Sequence, residues 1–94
     1  MPKLVMKFGG TSVADLDCIK NAASKVCNEV NNGFDVIVIV SAMSGETNRL
    51  VSLVNGVSKM HDAREYDAII SSGENVTAGL MAITLQEMGV SARS

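Results

Sequence analysis

Three short clusters of small and polar residues concentrate the chemistry open to this sequence. The first is Lys7-Phe8-Gly9-Gly10-Thr11-Ser12. Two adjacent glycines let the backbone approach a bulky anion without Cβ clashes. Amides at the start of a following helix favour phosphate through hydrogen bonds and the helix dipole, and Lys7 can bring its ammonium to the same place. The same residues also make a plain Gly-Gly turn with a solvated lysine guarding a strand edge. Neither the GxxxxGK[ST] loop nor the GxGxxG loop is present, so the common nucleotide fingerprints do not apply.

The second cluster, Ser41-Ala42-Met43-Ser44-Gly45-Glu46-Thr47-Asn48, offers hydroxyls and backbone amides suited to a small carboxylate or phosphate. Ser, Gly, Thr and Asn are equally ordinary turn and cap residues. The third, Ser71-Ser72-Gly73-Glu74-Asn75, reads as a polar kink in a helical segment. There Glu74 either caps the next helix or meets a substrate ammonium group. His61 is the single histidine and has no Cys or second His near it. It is placed at a helix end or loop, and no residue is singled out as a metal ligand. Met6, Met43, Met60, Met81 and Met88 read as packing.

These clusters need elements to hold them. Residues 3–8 alternate as a strand, with Leu4, Met6 and Phe8 on one face and Lys3, Val5 and Lys7 on the other. Val13, Leu16, Ile19, Ala22, Ala23, Val26, Cys27 and Val30 recur at helical spacing. Ser12 with Asp15 three residues on resembles a capping box at the start of that helix, and Asn31-Asn32-Gly33 stops it. Asp35 to Ser41 carries five successive β-branched residues, the pattern of a strand covered on both faces. Strand, helix, strand is a βαβ unit. A second helix carries Leu50, Leu53, Val54 and Val57 as its stripe. A third helical region runs from Asp62 or Ala63 to Met88, with an interruption expected at Ser72-Gly73. Gly89 ends it, and residues 90–94 read as the approach to a third strand.

Length and composition bound the class. The chain has 94 residues, 8 Lys+Arg against 10 Asp+Glu, and three aromatics, Phe8, Phe34 and Tyr66. Nucleic-acid binding is disfavoured, because it calls for clustered positive charge and stacking rings. With 47% apolar and 19% charged residues the composition is that of a folded chain. No unbroken apolar run approaches the roughly 20 residues of a membrane span, and residues 1–4 lack the apolar stretch of a secretory signal. A soluble, cytoplasmic α/β chain is expected. Cys18 and Cys27, nine residues apart on one helix, lie about 13.5 Å apart along its axis. A disulfide needs Cα atoms within about 7 Å, so both are expected as free thiols. A doubly covered strand needs more helices and strands than this sequence supplies. The chain is therefore expected to be a truncated piece of a larger domain, marginally stable by itself.

Taken in order, the three clusters resemble those of the aspartate kinases of the amino acid kinase family. The likeness runs over residues 3–93 and is carried by KFGGTSVAD at 7–15, VIVIVSAMSGETNRL at 36–50 and REYDAIISSGENVTAGLMAITLQEMG at 64–89. The resemblance implies a three-layer αβα sandwich with a mainly parallel sheet, of which residues 1–94 are the N-terminal portion, without the regulatory ACT domain. It also implies transfer of the ATP γ-phosphoryl group to the side-chain carboxylate of L-aspartate, with Mg²⁺, giving 4-phospho-L-aspartate and ADP. That reaction opens the routes to lysine, threonine and methionine.

By the same resemblance Lys7 contacts the transferring phosphoryl group, and Phe8, Gly9, Gly10, Thr11 and Ser12 line the phosphate site. Ser41 and Thr47 match positions that contact aspartate, and Glu74 matches the acidic residue near its amino group. The partners implied are L-aspartate and ATP, with no nucleic acid and no membrane, and the complete enzyme is expected to be oligomeric. The 94 residues hold half of such a site, so they are expected to be inactive alone. Two other readings stay open. One is another amino acid kinase, such as a glutamate 5-kinase or uridylate kinase relative. The other is a non-catalytic fragment that binds nucleotide weakly or associates with a partner chain.

Overall fold

The computed structural model describes residues 1–60 and 62–94; the placement of His61 lies outside the described residues. The order is β1 (Lys3–Phe8), a 3-10 turn (Gly10–Val13), α1 (Leu16–Asn31), β2 (Asp35–Val40), α2 (Glu46–Val57) and α3 (Ala63–Glu87). β1 and β2 pair in parallel, from Lys3 opposite Asp35 to Phe8 opposite Val40. The helical connection through α1 lets the second strand run in the same direction as the first.

Alternation decides what each strand buries. Met6 and Phe8 of β1 and Val36, Val38 and Val40 of β2 pack on a core built from Val13, Ile19, Val26, Met81 and Leu85. α1 and α3 both lie against β2 and against each other. The opposite face carries Val5, Ile37 and Ile39, which stay 58%, 51% and 46% exposed. The continuous β-branched run of β2 predicts two covered faces; among the described residues the helices cover one. α/β architecture with a parallel sheet is what the structure shows.

The start of α1 differs from the capping box read at Ser12. Ser12 sits in the 3-10 turn, and its amide donates to the Gly9 carbonyl (3.0 Å). Asp15 is the N-cap, its Oδ1 accepting from the Cys18 amide at 2.8 Å. The reason is local: Asp satisfies an orphan amide at least as well as Ser, and Val13 is then free to be fully buried in the core. At the other end Gly33, with φ 95°, stops α1 as the left-handed residue expected there.

α3 is continuous through Ser72-Gly73, where an interruption is expected from sequence. Gly73 is buried in mid-helix, and Glu74 lies in the helix interior and caps nothing. The N-cap of α3 is Asp62, which accepts from the Arg64 and Glu65 amides. By length and composition α3 passes for a membrane span, with an 18-residue stretch of mean hydropathy 1.2. In this fold Gly73, Thr77, Met81 and Leu85 form its buried face, packed on α1, α2 and β2. In α2, Leu50 and Val54 are buried while Leu53 and Val57 point outward. Residues 90–94 form no strand; the Gln86 amide group donates to the Ala92 carbonyl (2.8 Å). Both cysteines are free thiols, and the Cys27 Sγ lies 3.6 Å from the Met88 Sδ.

The Asp15 cap carries a pH signature. The Cys18 amide bonded to its carboxylate holds the Asp15 carboxyl below its ordinary 3.8, and the same carboxylate raises the Cys18 thiol. A carboxyl lowered on folding contributes stability above its unfolded pKa and loses it as pH falls through the folded value. Asp15→Ala should therefore speed hydrogen exchange at the Cys18 amide near neutrality. That difference should vanish as pH is taken below 3.8, whereas Asp15→Asn keeps an acceptor and should show no such titration. The open sheet face has its own consequence. The radius of gyration is 15.3 Å, against about 12 Å for a compact domain of this length. The isolated chain should melt broadly by circular dichroism; a sharp cooperative transition would contradict that.

Candidate functional site

Parallel pairing brings the C-terminal ends of β1 and β2 to one edge of the sheet. With Phe8 opposite Val40, the chain leaves both strands side by side, into Gly9-Gly10 in one case and Ser41-Ala42 in the other. Two clusters more than 30 positions apart in sequence thus become neighbours. They enclose a cleft of about 420 Å³ lined by Gly10, Thr11 and Ala14 on one side and Met43, Ser44, Gly45, Thr47 and Asn48 on the other. The two walls are joined directly: the Ser44 amide donates to the Ala14 carbonyl at 3.1 Å.

The cleft is suited to an anion. Gly45, with φ 77°, takes the left-handed conformation that turns the chain into α2, and no side chain caps that helix. The first intrahelical bond runs from the Arg49 amide to the Gly45 carbonyl. The Thr47 and Asn48 amides precede that ladder, at the positive end of the helix dipole. On the opposite wall Gly10 has no side chain, and a Cβ there would meet only the Ala42 carbonyl oxygen, at 3.9 Å. Arg49 is held in a surface ion pair with Glu46 (2.7 Å). Lys7 is exposed and makes no ion pair among the described residues.

Of the residues singled out from sequence, Gly10, Thr11 and Thr47 line the cleft. Lys7 lies on the open face of β1, beside Ile39. Phe8 faces the other way and packs on the core, so it can offer only backbone to a ligand. Gly9 precedes the 3-10 turn and accepts from the amide of Ser12 within it, and Ser41 follows directly on β2. Glu74 is exposed on α3, next to Gly73, which lies against Ala42 and Leu50. Ala14 is the wall residue that the sequence does not announce, because it contributes a carbonyl. Its signal is indirect: recognising Asp15 as the cap leaves 10–14 as a separate turn. A larger space of about 560 Å³ opens along β2 between α1, α3 and residues 88–94, and none of the candidate site residues lines it.

The sequence profile of the amino acid kinase family matches residues 2–94. The aspartokinase of Rickettsia felis is 48% identical over 97 aligned positions, which take in the whole chain and 24% of that relative. The crystal structure of the aspartate kinase from Synechocystis matches with a TM-score of 0.86 and 39% identity, over 89% of this chain and 14% of that one. E. coli aspartokinase III, solved in complex with aspartate and ADP, shares the fold with a TM-score of 0.78 at 22% identity, over 97% of this chain and 30% of its own. The chain spans about a quarter of the length of the curated relatives it matches.

Proposed function

The chain belongs to the amino acid kinase family, and we propose that it is the N-terminal part of the catalytic domain of an aspartate kinase. In this reading the complete enzyme transfers the ATP γ-phosphoryl group to the side-chain carboxylate of L-aspartate, releasing 4-phospho-L-aspartate and ADP. The reaction would open lysine, threonine and methionine synthesis in the cytoplasm, carried out by an oligomeric enzyme. The observation that carries the proposal is the shared cleft, in which the glycine-rich loop and the start of α2 form opposite walls. The 48% identity to an aspartokinase favours aspartate over other acceptors.

The chemistry asks little of acid–base groups. A carboxylate acceptor is already ionised near neutral pH, so no general base is required and His61 has no role. The difficulty is electrostatic, because an anion must attack a polyanion whose charge spreads over the γ-oxygens. Amides fixed by the fold can offset that repulsion without reorganising. Gly9, Gly10, Thr11 and Ser12 would hold the phosphates by backbone and hydroxyl donors, with Phe8 contributing backbone alone. Lys7 would place its ammonium on the transferring group. Thr47 on the other wall and Ser41 at the end of β2 would donate to the aspartate carboxylates, and Glu74 would meet the aspartate ammonium.

Mg²⁺ belongs to the proposed reaction as the companion of ATP. Among the described residues no three His, Cys, Asp or Glu side chains converge, so these residues do not form a cage for the ion.

In the full-length enzyme Lys7→Ala should lower kcat by about 100-fold or more, the range for removing one donor to developing charge. The circular dichroism spectrum should stay unchanged, since Lys7 takes no part in the core and makes no ion pair among the described residues. A coupled ADP-release assay reads this, and unchanged turnover would remove Lys7 from the mechanism. The same assay with glutamate in place of aspartate separates this reading from another amino acid kinase. The 94 residues alone should release no ADP in response to aspartate.

A further inference from the structure

Gly73 occupies an unusual place: a buried glycine in the middle of a 25-residue helix, with no turn to make. Mid-helix glycine ordinarily weakens a helix relative to alanine, so its presence calls for a contact that a side chain would spoil. A Cβ there would lie 3.2 Å from the Ala42 Cβ, 3.3 Å from the Leu50 Cδ1 and 3.9 Å from the Glu46 Cβ. The first two are tighter than ordinary van der Waals contact. Leu50 can yield at its flexible tip, but the Ala42 Cβ is fixed to the backbone.

The residues it touches bracket the acceptor wall of the cleft. Ala42 immediately precedes Met43-Ser44-Gly45, and Glu46 and Leu50 lie in the opening turns of α2, either side of Thr47 and Asn48. From that wall two contacts lead to the glycine-rich loop. The Ala42 carbonyl oxygen faces Gly10, and the Ser44 amide is bonded to the Ala14 carbonyl. Displacing Ala42 therefore moves the start of α2 relative to Gly10 and Thr11.

We propose that Gly73 is a positioning residue for phosphoryl transfer: its missing side chain sets how deeply α3 seats on Ala42 and Leu50, and so the separation of the two cleft walls. This rests on the reading of the cleft as a phosphoryl-transfer site. A methyl group at 73 forces a shift of a few tenths of an ångström at Ala42, and in-line transfer is sensitive to misplacement on the ångström scale. The acceptor wall moves while the glycine-rich loop stays anchored to β1. Aspartate is thus affected more than ATP.

The test is Gly73→Ala in the full-length enzyme, with Ala42→Gly and the double variant, which moves the methyl group from one side of the contact to the other. Steady-state kinetics and thermal melting are measured on all four proteins. Gly73→Ala should lower kcat/KM for aspartate by about tenfold with the KM for ATP and the melting temperature maintained, and Ala42→Gly should recover most of the loss. A merely structural glycine would give unchanged kinetics, or a loss of activity that tracks a loss of folding and is not recovered; either outcome overturns the proposal. Wild-type enzyme without aspartate-dependent ADP release would overturn the reading of the cleft itself, and the acceptor role of its wall with it.

Discussion

The in-register parallel pairing of β1 and β2 is the constraint on which the rest of this structure depends. Both strands end at the same level, with Phe8 beside Val40, so whatever follows each strand must emerge at one edge. An antiparallel pair would place the exit of one strand beside the entry of the other. It would then separate the glycine-rich loop from the Ser-Gly turn by the length of a strand, about 20 Å for six residues. The crossover helix is what permits the parallel arrangement. α1 is anchored at its start by Asp15 and stopped by Gly33, so its length returns the chain for a second pass in the same direction.

The two walls of the cleft are supported by different means. The loop after β1 is tied to its strand and to a tight 3-10 turn, whose Val13 is fully buried. The turn after β2 is held between elements: α3 presses on it through Gly73, and the Ala14 carbonyl receives its Ser44 amide. An arrangement of this kind sets the separation of the two walls by packing. Close packing resists continuous deformation, so the width of the cleft is a property of the fold.

Much of this was legible in the sequence because the signals were local. The β-branched run of 36–40, the alternation of 3–8 and the Gly33 stop each follow from backbone and side-chain preferences within a few residues. Three features were not legible, and each depends on a partner distant in sequence. Gly73 looks like a helix breaker when read alone, but it is a point of close approach to Ala42, thirty-one positions earlier. Ser12 and Asp15 are both good caps, and the choice between them is settled by the burial of Val13. The β-branched face of Ile37 and Ile39 asks for a covering layer, and among the described residues both stay exposed. Two of the clusters picked out in sequence contribute residues to the cleft, but the carbonyl contributed by Ala14 was not foreseen, since a backbone acceptor leaves no trace in residue type.

The exposed face bears on function as well as on stability. Lys7 projects from the same face as Val5, beside Ile39, whereas Gly10, Thr11 and Thr47 line the cleft at the strand ends. An ammonium in open water is screened, and its attraction for a phosphate group is weak; the same pair in a dry, low-dielectric site interacts several times more strongly. For Lys7 to stabilise a transferring phosphoryl group, the face it shares with Val5 and Ile39 has to be shielded from solvent. The apolar residues around it are of the kind that a further layer of structure would cover. Folding and electrostatics therefore make the same demand here: the surface that leaves Val5, Ile37 and Ile39 open to solvent is the surface whose burial would strengthen the charge of Lys7.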